Sequence, residues 1–138
     1  GAGRHRGGLG AIYEIELLEK QANAFLFGER GRFPPLGVLG GGPGALNEFR
    51  YEQNDGEHAP PMASKMVGID LARGQAVRLE TPGGGGYGPA FERDPAKVRE
   101  DVRLGYVSRE AARRDYRLVL DDTGAVDTAA TKALRGAA

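Results

Sequence analysis

The segment from residue 28 to residue 44 constrains the fold of this chain more than any other. Glycine or proline occupies ten of its 17 positions, and such a run can continue neither a helix nor a central strand. Residues 1–10 and 83–88 are also glycine-rich. Because the 23 glycines and 8 prolines of the chain lack a period of three, a collagen helix is excluded, and long shaped loops around a thin core are expected.

The charge and composition of the chain exclude several classes of function. The 138 residues include 19 Lys or Arg and 19 Asp or Glu, so the formal net charge is zero, which disfavours nucleic-acid binding. The absence of cysteine excludes disulfides, thiolate metal sites and a cysteine nucleophile. No apolar run approaches the roughly 20 residues of a membrane span, so we expect a soluble, cytoplasmic protein without a membrane partner.

Strand patterns dominate the first two thirds of the chain. From Ala11, apolar residues at 13, 15 and 17 alternate with Glu14 and Glu16, which predicts a half-buried strand. Residues 22–27 are apolar on both faces and predict a second strand, antiparallel to the first. Residues 45–52 and 76–81 predict two more strands, whereas 53–61 is polar and predicted to be exposed.

Helix signals follow residue 93. Asp94 and Pro95 predict the start of a helix that Gly105 ends; Ser108 and Asp127 cap two more, the last reaching Gly136. Residues 121–124 carry a turn signal between two apolar stretches. The predicted fold class is α+β, with a β-rich glycine-loop region at 1–92 and a helical tail at 93–138.

Few side chains could carry out chemistry. The only histidines, His5 and His58, are 53 positions apart, and no pair has the spacing of metal ligands on a helix. Neither serine lies in a Gly-x-Ser-x-Gly motif, and no Gly-Lys dipeptide exists for a Walker-type phosphate loop. We therefore assign no catalytic residue and no metal ligand from the sequence.

Two segments remain as candidate sites. Arg4, His5 and Arg6 lie between glycines, and an arginine fork suits a carboxylate or a phosphate; the alternative is that these arginines pair with acidic groups of the protein. The glycine amides of 83–86 could form an anion-binding nest, or could let two backbones cross closely. Candidate substrate or phosphate contacts are Arg4, His5, Arg6, Lys65, Thr81, Gly83, Gly84, Gly85, Gly86 and Tyr87.

Several motifs together resemble one known family. They are residues 3–10, Arg32-Phe33-Pro34-Pro35 with 40–44, Ser64-Lys65, 80–88, 94–95 and 101–108 with 111–112. In this order, over nearly the whole chain, they closely resemble the carboxy-terminal portion of the B-type subunit in the hydantoinase B/5-oxoprolinase family. The chain departs from the family pattern in lacking Asp between Gly88 and Pro89, and in having Gln75 and Arg117 where Asp and Gly are common.

The resemblance implies an ATP-dependent hydrolase of cyclic amides, such as a hydantoinase, N-methylhydantoinase or 5-oxoprolinase. It implies ATP and a divalent metal as cofactors of the parent complex, with metal ligands nearer the amino terminus of the parent subunit. The implied partners are a hydantoinase A-type subunit and the amino-terminal part of the parent chain. A chain that begins Gly-Ala-Gly without Met is expected to be a fragment of such a subunit, binding no cofactor and inactive alone. The alternatives are the equivalent part of an acetone or acetophenone carboxylase-type subunit, or a module that only packs subunits together.

Overall fold

A computed structural model describes residues 1–136, and the chain divides into two compact units. The first unit consists of residues 1–9, 36–44 and the chain from 84 onward; the second consists of 10–35 and 45–83. Antiparallel sheets come before three short helices along the chain, which confirms the predicted α+β class.

The second unit contains six strands: β1 (Ile12–Glu16), β2 (Gln21–Phe27), β3 (Glu48–Gln53), β4 (Gly56–His58), β5 (Lys65–Ala72) and β6 (Ala76–Glu80). Four of them form an antiparallel sheet in the order β1-β6-β3-β4, and β2 pairs with β5 in a separate antiparallel ribbon. In β3, Phe49 and Tyr51 are buried while Glu48, Arg50 and Glu52 are exposed, as a strand with one covered face requires. These two aromatic residues form the core of the unit with Leu26, Ile69 and Leu71.

Two strand predictions are wrong in their details. All five residues of β1 are exposed, and Ile15 retains 65% of its surface, because no side chain of β1 packs into the core of the unit. β2 does not pair with β1, since its buried Leu26 packs with Ile69 and Leu71 of β5. Alternation identified the strands, but pairing depends on which buried side chains meet.

Helices α1 (Pro95–Arg103), α2 (Arg109–Tyr116) and α3 (Thr128–Gly136) belong to the first unit. All three predicted caps are confirmed: Asp94 accepts a hydrogen bond from Ala96 N at 2.9 Å, Ser108 from Ala111 N at 3.1 Å and Asp127 from Ala130 N at 2.9 Å. The core of this unit is built from Val98, Val107, Ala112, Tyr116 and Leu118. None of the helices in residues 1–136 has the length and apolar character to cross a membrane.

The Ser108 cap provides a test of helix α2. Replacing Ser108→Ala leaves the Ala111 amide without its acceptor, which costs about 1 kcal/mol and lowers the melting temperature by about 2 to 5 °C. Arg113→Ala, on the exposed surface of the same helix, is the matched control and should change stability by less than about 0.5 kcal/mol. Equal melting temperatures for the two variants would contradict the capping role.

Candidate functional site

Three glycine-rich segments of the first unit, 1–9, 36–44 and 84–88, pack side by side, and we call them the glycine layer. Backbone hydrogen bonds join all three. Gly42 N donates to Ala2 O at 2.7 Å, and Gly86 N donates to Gly42 O at 2.8 Å. Val38 N in turn donates to Gly86 O at 2.9 Å. The layer is therefore held together mainly by main-chain groups.

Glycine is required in this layer because backbones lie where side chains would otherwise be. A Cβ atom on Gly86 would collide with the carbonyl oxygen of Ala2, and one on Gly41 would collide with that of Gly86. Gly85 faces the carbonyl of Leu36 in the same way. A side chain at any of these positions would force the segments apart.

The amide groups of residues 84–88 are largely occupied by this packing. Gly84 N donates to Gly8 O at 2.9 Å, Tyr87 N to His5 O at 2.9 Å and Gly88 N to Val38 O at 2.9 Å. An anion-binding nest needs amides that point at the ligand. The geometry thus corresponds to the close crossing of backbones, and an anion contact by Gly84, Gly85 or Gly86 stays a prediction.

Arg4, His5 and Tyr87 form an exposed cluster at the edge of the layer. His5 N donates to Tyr87 O at 3.0 Å, and the two rings are tilted with centroids 5.9 Å apart. Cζ of Arg4 lies 5.9 Å from the Tyr87 ring centroid, and its Nη1 is 3.5 Å from Oε2 of Glu92. Because the Arg4 side chain is 48% exposed, its guanidinium could reach a ligand from solvent.

Arg6, in contrast, is held by a buried carboxylate. Its Nε lies 3.1 Å from Oδ2 of Asp101 and its Nη2 lies 3.2 Å from Oδ1, a two-pronged pair in which Asp101 is 8% exposed. Arg93 Nη2 donates to the same carboxylate at 2.9 Å, and Arg93 Nη1 donates to Arg4 O at 3.3 Å. Asp101 therefore fixes Arg6 directly, and the backbone of Arg4 through Arg93.

Asp101 is the residue of this cluster that the sequence analysis missed. It lies on α1 three positions after the buried Val98, so both share one helix face. A carboxylate on the buried face of a short helix indicates a cationic partner in the interior. That signal was available in the sequence, but the identity of the partners was not.

A small cavity of about 200 Å³ lies beside Arg6 in the first unit, lined also by Tyr106, Ser108 and Tyr116. Cζ of Arg6 is 5.3 Å from the Tyr106 ring centroid. Burial raises the pKa of the Tyr116 hydroxyl, so this phenol stays neutral at physiological pH. The Arg6 guanidinium beside this cavity is already neutralised by Asp101. The cavity is therefore a weak site for a further anion.

The remaining predicted residues, Lys65, Thr81 and Gly83, belong to the second unit. Lys65 Nζ is 3.5 Å from Oε1 of Glu29. Thr81 Oγ1 accepts a hydrogen bond from Ala11 N at 2.8 Å and donates to Ala11 O at 3.2 Å, so its hydroxyl fixes the chain before β1. Ligand contacts by these residues stay predictions.

The part of the chain that the structure describes does not fit a divalent metal. Nowhere in residues 1–136 do three His, Asp or Glu side chains lie together as metal ligands would. The half-exposed Arg4 guanidinium is the kind of donor that a phosphate group accepts from, and a phosphate contact by Arg4 stays a prediction.

Comparison with known proteins gives the context of this site. Caprolactamase subunit beta of Pseudomonas jessenii is 36% identical over 99% of this chain and 24% of its own length, and a protein of Methanocaldococcus jannaschii is 38% identical with the same coverage. The crystal structure of ATP-dependent caprolactamase from Pseudomonas jessenii superposes on 98% of this chain and 24% of the solved chain, with a TM-score of 0.79 and 35% identity. Acetone carboxylase in a nucleotide-free structure matches 99% of this chain and 22% of that one with a TM-score of 0.76, but at 23% identity this shows a shared fold alone.

The chain thus spans about a quarter of the length of the relatives that it matches, 24% in the case of the caprolactamase subunit. A family model described as hydantoinase B/oxoprolinase matches residues 1–90, which include all three segments of the glycine layer. The chain belongs to the hydantoinase B/oxoprolinase family.

Proposed function

We propose that this chain is the carboxy-terminal part of the B-type subunit of an ATP-dependent cyclic-amide hydrolase. The observation that carries the proposal is the likeness to the ATP-dependent caprolactamase of Pseudomonas jessenii, at 35% identity and a TM-score of 0.79 over nearly the whole chain. The substrate class is a ring amide: a hydantoin, 5-oxoproline or another lactam. The partners are an A-type subunit and the amino-terminal part of the parent chain.

The chemistry explains why ATP is needed. A ring amide is a poor electrophile, and ATP, when bound, would supply a phosphoryl group that makes the amide oxygen a better leaving group. One water molecule would then add to the ring carbon so that the C–N bond breaks, and a second would release the phosphate from the carboxyl group. The product is an open-chain carboxylate that carries an amine, or a carbamoylated amine when the ring is a hydantoin. Phosphate and carboxylate are both anions, so a positioned guanidinium can stabilise charge on either of them.

Of the two arginines in the basic motif, Arg4 is the better candidate for such a contact. Its ion pair with Glu92 spans 3.5 Å between half-exposed side chains, and an exposed pair of this kind is worth little. Arg6 has its guanidinium committed to Asp101 and is only 19% exposed. We therefore assign anion contact to Arg4 and a positioning role to Arg6.

This division predicts different results for the same substitution in the intact enzyme complex. Arg4→Lys keeps the charge but loses the two-pronged geometry, so kcat/KM should fall about 10- to 150-fold at an unchanged melting temperature, the equivalent of one charge-assisted contact. Arg6→Lys should lower the melting temperature, with activity following the amount of folded complex. Normal kcat/KM for Arg4→Lys would contradict the anion contact assigned to Arg4.

The reaction itself is tested with the complete B-type subunit and its A-type partner. Caprolactam, hydantoin and 5-oxoproline are incubated in turn with ATP, and ADP and the ring-opened product are measured together. The proposal expects equal amounts of both for at least one substrate. ATP-dependent consumption of acetone and bicarbonate, without ring opening, would instead identify a carboxylase-type subunit.

A further inference from the structure

We infer that the second unit carries a separate binding site for a small organic anion, with Arg30 and Arg32 as its cationic contacts. The site is a cavity of about 680 Å³ between two loops, residues 28–33 and 61–65. Its ligand is a carboxylate or phosphate attached to an apolar body. The inference concerns binding alone and does not depend on the proposed ring-opening reaction.

The walls of the cavity are fixed by hydrogen bonds between the loops and the chain before β3. Gly28 N donates to Ser64 O at 2.7 Å, and Asn47 N donates to Arg30 O at 2.9 Å. The Asn47 side-chain amide lies 3.5 Å from Ser64 Oγ in a buried position. A Cβ on Gly31 would collide with that same oxygen, so the two loops are in close contact behind the cavity.

Arg30 has a backbone conformation that arginine seldom adopts. Its φ is +66°, in the left-handed region, where the Cβ of a non-glycine residue crowds the following carbonyl oxygen. Glycine or asparagine would make this turn more easily. Because strained residues cluster at ligand-binding sites, an arginine here points to a use for its side chain.

Positive charge exceeds negative charge around the cavity. Lys65 and Glu29 pair with each other at 3.5 Å, and within residues 1–136 neither Arg30 nor Arg32 has a carboxylate at salt-bridge distance. Cζ of Arg32 lies 5.5 Å from the Phe33 ring centroid, a position from which the edge of the guanidinium can still bind an oxyanion. Two unneutralised guanidinium groups therefore line one cavity.

The other wall residues define the rest of the ligand. Phe33, Pro61 and Met62 supply apolar surface beside the arginines. A volume of about 680 Å³ falls within the usual range for small-molecule sites, and mostly apolar walls with a few polar groups are typical of them. A bare inorganic ion would leave that apolar surface unused, so an anion with a hydrocarbon body fits best.

Arginine-specific modification tests the site in the intact complex. Phenylglyoxal is added without ATP, and modification of each arginine is followed by peptide mass spectrometry. Hexanoate should slow modification of Arg30 and Arg32 but not of the exposed Arg73 of the same unit, and hexanamide, its uncharged analogue, should protect none of them. Protection by inorganic phosphate at lower concentrations than by hexanoate would identify the anion as a phosphoryl group.

A variant that fits the observed backbone conformation completes the test. Arg30→Gly suits the left-handed turn, so the protein should be at least as stable as before. The hexanoate concentration that half-protects Arg32 should nevertheless rise at least about 10-fold. The matched control Arg73→Gln should leave it unchanged. Equal protection by hexanamide, no protection by either anion, or an unchanged half-protecting concentration in Arg30→Gly would overturn the inference.

Discussion

Gly86→Ala should destabilise the first unit by about 3 kcal/mol or more, which corresponds to a fall of about 10 °C in melting temperature. The added methyl group would occupy the position of the Ala2 carbonyl oxygen, and its other neighbours are the Ala2 carbonyl carbon at 2.5 Å and Gly1 O at 3.0 Å. All three atoms are main chain, so no rotamer change can relieve the collision. Residues 84–88 would have to move away from residues 1–9, which breaks the bonds from Tyr87 N to His5 O and from Arg4 N to Gly88 O.

Gly42→Ala is the matched control, since it lies in the same layer with room for a methyl group. Its Cβ would lie 3.5 Å from Ala2 O, ordinary van der Waals contact, and alanine also restricts the unfolded chain. We expect a change of less than about 1 kcal/mol in the free energy of unfolding. Thermal unfolding measures the stability, and hydrogen exchange at the Tyr87 amide measures opening of the layer. Similar stability losses in the two variants would contradict backbone-to-backbone packing.

Asp101→Asn should cost about 3 to 5 kcal/mol, because it removes one carboxylate from between two guanidinium groups. Arg6 and Arg93 would then face each other with side chains that are 19% and 12% exposed, too little for water to replace the lost partner. The amide keeps the shape of the carboxylate, so the loss measures charge and not volume. The free energy of unfolding in urea gives the size of the effect.

Glu100, the residue before Asp101, supplies the matched control for the Asp101→Asn experiment. Glu100 pairs with Arg103 at 2.7 Å, but these side chains are 51% and 66% exposed. Glu100→Gln should therefore cost no more than about 0.5 kcal/mol. A loss for Asp101→Asn as small as that for Glu100→Gln would show that burial does not strengthen the Asp101 pairs.

The helical region could be predicted from the sequence because its signals are local. Asp94, Ser108 and Asp127 each cap the helix that follows within three residues. Arg117, where glycine is common in the family, also follows a local rule, because it ends α2 at φ +51°, a conformation that favours glycine. Its Cζ lies 5.1 Å from the Phe91 ring centroid. Such features depend on a few neighbouring residues.

The candidate site was less predictable because it depends on distant partners. The sequence indicated that Arg6 could bind an acidic group, but nothing near it indicated Asp101, 95 positions away. The pairing of β2 with β5 was missed for the same reason, because a strand pattern does not identify its neighbour. The glycines of 83–86 allowed both a nest and a crossing, and the choice depended on whether carbonyls of other segments were within reach of their amides.

The order of the glycine layer along the chain has a consequence for folding during synthesis. Its segments, 1–9, 36–44 and 84–88, are separated by the residues of the second unit. Main-chain bonds such as Arg4 N to Gly88 O, at 3.1 Å, cannot form until the last segment has left the ribosome. At a synthesis rate of about 5 to 20 residues per second, residues 1–9 remain without these hydrogen-bond partners for several seconds. Residues 1–9 have little apolar surface to bury. The glycines that allow tight packing therefore also keep this segment hydrated until residues 84–88 have been synthesised.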